Sequence, residues 1–109
     1  AEKWLNKLKD YWINKDIEGA VSLFTKTTFY QETPFMKPYT TIQEINQEWQ
    51  HVKDEDIESI DIKLLAIDKN TVIAEWTLKQ NNQEFDGIYE IKFNDNLDCV
   101  HFKSWEMMK

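Results

Sequence analysis

The chain has 109 residues with 20 acidic and 13 basic side chains, and every basic one is lysine, for a net charge of −7. Polyphosphates favour the bidentate guanidinium fork and are repelled by an acidic protein, which excludes nucleic acid and anionic membrane surfaces as partners. Hydrophobic residues at 41% suffice for a core, and the lone Cys99 excludes an internal disulfide or a multi-cysteine metal site.

The amino-terminal half has a helical period. Trp4, Leu8, Tyr11 and Trp12, with Leu5, recur every three or four residues and give one apolar stripe. Asp16 is placed to cap a second helix carrying Ile17, Ala20, Val21 and Phe24. The link Asn14–Asp16 is short, so these helices pack as neighbours. Thr27–Gln31 is rich in β-branched and aromatic residues and reads as a short strand. Pro34 and Pro38 then forbid a long helix or a central strand. The stretch FYQETPFMKPY, Phe29–Tyr39, therefore reads as an extended crossing from the strand to the next helix. Thr41-x-x-Glu44 is a capping box that starts a third helix, buried through Ile42, Ile45, Trp49 and Val52.

From Ile57 the period changes to two. Ile60, Ile62 and Leu64 form one alternating set, and Val72, Ala74, Trp76 and Leu78 a second. Phe85, Gly87, Tyr89, Ile91 and Phe93 form a third, and Cys99–Met107 is the last run. Turn residues at Asp68–Asn70, Asn81–Gln83 and Asp95–Leu97 separate them, predicting a four-stranded antiparallel meander with one buried face. Helices followed by such a sheet make an α+β layout, and residues 1–109 read as one domain.

No strong chemical motif is present. Gly19 and Gly87 are the only glycines, which rules out phosphate-cradling loops, and no Gly-x-Ser-x-Gly elbow occurs. His51 and His101 lie far apart, with no cofactor or metal fingerprint around them, so none is expected. The longest apolar run, Leu64–Ile67, is far short of the ~18 residues of a membrane span, and no charge-flanked apolar leader opens the chain. A cytoplasmic location is expected.

The order of elements resembles the nuclear transport factor 2-like superfamily in its bacterial SnoaL-like branch. The resemblance lies in the Trp12 helix, Asp16–Phe24, the strand ending in Tyr30, and Glu32-Thr33-Pro34-Phe35. It continues through the Ile45/Trp49 helix, Ala74-Glu75-Trp76, Asp86-Gly87-Ile88 and Phe102…Trp105. It implies three helices packed in a strongly curved, mainly antiparallel sheet that forms a cone with an internal pocket. It also implies kinship with ketosteroid isomerases, polyketide cyclases and dehydratases, whose catalytic groups are an Asp or His with a Tyr or protonated acid as donor. No residue here matches a catalytic motif of that family position by position.

The candidate residues follow from chemistry and spacing. Asp86 precedes Gly87, and a bulge there would turn it into an apolar cone as a general base; ordinary alternation would leave it on the solvent face. Glu32 is the second candidate carboxylate, at the pocket rim, with a solvated turn residue as the plainer reading. Tyr30 is a candidate phenol donor whose plainer reading is core packing. Trp12, Trp49, Trp76 and Trp105 are candidate ligand contacts with core packing as the plainer reading. His101 is another, with a surface or satisfied-core histidine as the plainer reading. The resemblance implies that Phe35, with Met36 and Tyr39, is a lid or rim over the mouth of the cone. The expected ligand is an apolar or aromatic small molecule of steroid or polyketide-fragment size, in a cavity of roughly 300–1,000 Å³. The other reading is a non-catalytic interaction domain, a homodimer through the outer sheet face carrying Ile73 and Ile88.

Overall fold

The computed structural model describes all of residues 1–109. Helix α1 spans Glu2–Ile13 and buries Leu5 and Leu8 along the predicted stripe. It stops where Lys15 takes a positive φ of 55°. Helix α2, Ile17–Ser22, is capped by the Asp16 carboxylate, which accepts from Gly19 N at 2.9 Å. Strand β1 is short, Phe29–Gln31. Helix α3, Ile42–Trp49, opens on the full Thr41/Glu44 capping box and tightens into a 3-10 segment, Gln50–Asp54.

Four long strands follow: β2 Ile57–Asp68, β3 Thr71–Gln80, β4 Gln83–Phe93 and β5 Cys99–Met108. The β3–β4 hairpin turns on Asn81 and Asn82, both at positive φ (50° and 63°), the pair of left-handed residues that suits a two-residue hairpin loop. Strand order is β1-β5-β4-β3-β2, with β1 parallel to β5 and every other pairing antiparallel. The architecture is α+β with three amino-terminal helices and a five-stranded mixed sheet. The sheet is open, with β1 and β2 at its edges.

Helices and inner sheet face share one core of 20 buried residues, including Leu8, Phe24, Tyr30, Ile45, Trp49, Trp76, Tyr89, Ile91 and Phe102. Edge-to-face rings knit it together, with Phe24 5.1 Å from both Tyr30 and Phe102. Gly87 is required where it stands: a Cβ there would overlap the Trp105 carbonyl oxygen and the Trp76 indole. No helix is long and apolar enough to cross a membrane.

Candidate functional site

The inner face does not fill completely. A cavity of about 120 Å³ is lined by fourteen residues drawn from α1, the β1 exit, α3, the 3-10 segment, and strands β3 to β5. Its floor is aromatic and buried: Tyr30, Trp49, Trp76, Tyr89 and Phe102. Trp12 closes one side, 5.8 Å from Trp49 and 6.4 Å from Trp76. Glu32, His51, Glu55, Gln80, Ser104 and Glu106 supply the polar lining. His51 and Glu106 are exposed and Glu55 and Gln80 half-buried, which puts them at the mouth.

The position of Glu32 follows from the backbone of the Phe29–Tyr39 stretch. Tyr30 and Tyr39 pair across it, N–H to C=O in both directions at 3.0 and 2.9 Å. Gln31 Nε2 also donates to Met36 O at 2.6 Å, so the intervening loop is held closed. Glu32 is half-buried as a residue, but its carboxyl end points inward and accepts from Tyr30 Oη at 2.6 Å. Burial pushes this carboxyl up to about 7; the Tyr30 hydrogen bond works against that rise, Glu48 and Glu106 add to it, and His51 opposes it. Burial and the Glu32 charge hold the Tyr30 phenol well above its ordinary value, as they do Tyr89. Glu106 is raised by burial and then by Glu55. His51 sits between two carboxylates, with Nε2 3.2 Å from Glu55 Oε1 and Nδ1 3.4 Å from Glu48 Oε2.

The donor inventory is uneven. Trp76 Nε1 donates to Ser104 Oγ at 3.1 Å, whereas the Nε1 groups of Trp12 and Trp49 are buried without a partner. Trp49 acts on the Tyr30 phenol from nearby but closes no hydrogen bond to it. A buried N–H left unpaired costs on the order of 1–3 kcal/mol, so each indole favours any acceptor that reaches it.

No protein-family model and no curated protein sequence matches the chain. Solved structures do match over nearly its whole length. A steroid delta-isomerase from Pseudomonas aeruginosa superposes with a TM-score of 0.73 at 19% identity, covering 97% of this chain and 78% of that one. A nuclear transport factor 2-like protein of unknown function from Burkholderia xenovorans reaches 0.78 at 10% identity, over 96% and 80%. A SnoaL-like polyketide cyclase described as putative, from Shewanella denitrificans, reaches 0.72 at 10% identity, over 97% and 89%. The chain has the nuclear transport factor 2-like fold.

Within this fold the cavity brings together Trp12, Tyr30, Glu32, Trp49 and Trp76. Four other candidates lie elsewhere. Asp86 is exposed on the opposite face of β4, because pairing runs without a bulge from Thr71↔Lys92 to Gln80↔Gln83 and Gly87 stays in register with Trp76. Phe35 is fully exposed at the loop tip, and Trp105 is on the outer face under Lys103 Nζ, 4.7 Å from its ring centroid. His101 also faces out, stacked on Phe29 at 4.6 Å with Nε2 2.9 Å from Glu90 Oε1. The cause is a register shift: Lys92 pairs with His101 but Phe93 with Cys99, so one residue reverses the alternation. Burial lowers the His101 pKa despite Glu90.

Residues not singled out beforehand complete the site: His51, Glu55, Gln80, Tyr89, Ser104 and Glu106. For His51 a signal existed. Glu48-x-x-His51-x-x-x-Glu55 places carboxylates at the two helical spacings on either side of the imidazole. Glu106 could be assigned to the inner face only once the β5 register was known.

Proposed function

We propose that this chain is a small-molecule pocket protein whose cavity supports proton transfer by Glu32. The steroid-isomerase and cyclase names among proteins of like fold are consistent with that chemistry, and an inner sheet face curved around the cavity into a cone would serve it. One juxtaposition carries this reading: a carboxyl raised to about 7 lies in a cavity lined by two indoles whose N–H groups are buried without a partner. An ionised Glu32 takes a proton from the carbon beside a carbonyl. The C–H electron pair forms the C=C bond of an enolate, and the negative oxygen accepts from Trp12 and Trp49. Returning the proton to another carbon completes an isomerisation. Tyr30 orients the base, since its hydroxyl is already donated to Glu32.

The cavity limits ligand size. At about 120 Å³ it is smaller than a steroid needs. It approaches the roughly 150 Å³ that takes up benzene, so a single six-membered ring is the appropriate scale. The test is deuterium incorporation beside the carbonyl of cyclohexanone in D2O, followed by NMR. Protein-dependent exchange that disappears in Glu32→Gln is the expected result. Equal exchange with both proteins removes Glu32 from the role.

The competing reading, a homodimer through the outer sheet face, rests on half-buried Ile73 and on half-buried Ile88, which pairs with Trp105. Glu75, Glu90 and Lys103 interrupt that patch.

A further inference from the structure

The charge of the cavity lining is one-sided. Glu32 from the β1 exit, Glu55 from the end of the 3-10 segment and Glu106 from β5 converge on it, and none of its lining residues is lysine. The only group there able to carry positive charge is His51, already held between Glu48 and Glu55. Below the carboxylates lie the ring systems of Trp12, Trp49, Trp76, Tyr30, Tyr89 and Phe102, whose negative π faces attract cations. Two acceptors are also unspent. Tyr89 is only 4% exposed and its hydroxyl makes no hydrogen bond, and it lines the same cavity as Glu32 and Glu106, whose charges both raise its pKa. Gln80 Oε1 is buried without a partner. An anionic ligand would meet three carboxylates, and a neutral one would leave them facing each other.

We propose that the ligand is a small organic ammonium ion, its charge seated among Glu32, Glu55 and Glu106 and its ring-sized body on the indoles. Its N–H groups donate to the carboxylates, Tyr89 Oη and Gln80 Oε1, and a carbonyl or hydroxyl oxygen at its far end accepts from Trp49 Nε1. This rests on the reading of the cavity as a ligand site and adds the charge of what enters it.

Calorimetric titration with cyclohexylammonium, cyclohexanol and cyclohexanecarboxylate separates the possibilities, because the three share one ring and differ in charge. The ammonium ion is expected to bind at least tenfold more tightly than cyclohexanol at pH 8, and the carboxylate not at all. Glu55→Gln and Glu106→Gln should each narrow the ammonium-to-alcohol ratio several-fold, through the mouth rather than the outer surface. Lowering the pH to 5.5 should narrow it too. Glu32 is faced there by Tyr30, Glu48, His51, Tyr89 and Glu106, and protonation of Glu32 or Glu106, both raised by burial, removes negative charge that holds the cation. Cyclohexanol binding as tightly as the ammonium ion, or a ratio untouched by both variants, overturns the proposal while leaving proton transfer by Glu32 to stand on the cyclohexanone exchange. Binding of none of the three, with cyclohexanone exchange intact, overturns it as well.

Discussion

Glu32 couples the chemistry of the cavity to the stability of the fold. Its carboxyl is raised from 4.5 to about 7 on folding, so the folded state prefers the protonated form. The stability this contributes is complete below about pH 4.5 and is lost as pH rises through 7. Glu106 is raised in the same direction. Urea unfolding at pH 5 and pH 8 should therefore show the wild type losing about 2 kcal/mol more than Glu32→Gln across that interval, with allowance for its half-buried position. Identical losses would mean the carboxyl is solvated. Tyr30→Phe removes the hydrogen bond that holds the Glu32 pKa down, so the carboxyl carbon resonance of Glu32 should titrate above pH 7. A midpoint moving toward 4.5 would contradict the inward placement. At this scale the sequence left Glu32 between a pocket rim and a solvated turn, because the Tyr30–Tyr39 pairing and the Tyr30 hydrogen bond that turn its carboxyl inward are tertiary. It also left His101 open, since one bulged residue in β5 decides its side, and left Asp86 undecided between two faces.

The elements formed largely where local chemistry dictates. The Thr41/Glu44 box, with Glu44 N–H donating to Thr41 Oγ1 at 3.3 Å, was readable from four letters. Its loss in Thr41→Ala should cost about 1 kcal/mol in chemical denaturation. Gly87 was read as a possible bulge, but the contact it permits is between β4, the Trp105 backbone and the Trp76 indole. Gly87→Ala should destabilise by roughly 1–3 kcal/mol through overpacking, and should weaken ligand binding by displacing Trp76 from the cavity wall. A variant as stable as the wild type would mean the strands separate there without cost. Period two located the four long strands, yet the register shifts in β2 and β5 depend on which partner each strand meets, and a single strand does not carry that information.

At the scale of the molecule, helices followed by a meander were visible as a change of period at Ile57. The parallel pairing of β1 with β5 was not visible, because it joins segments about seventy residues apart, as in Phe29↔His101. That pairing brings Tyr30 and Glu32 beside Phe102 and the inner end of β5, and so assembles the cavity from both ends of the chain. The indole N–H groups of Trp12 and Trp49 are buried without a partner, and the proposed function has a ligand oxygen accept from them. With ¹⁵N-labelled protein, the indole N–H signals of the five tryptophans report on it directly during titration with cyclohexanone. The signals of Trp12 and Trp49 should shift most, Trp76 less because Ser104 holds it, and outer-face Trp105 not at all. Stationary Trp12 and Trp49 signals, or a response confined to Trp105, would contradict it.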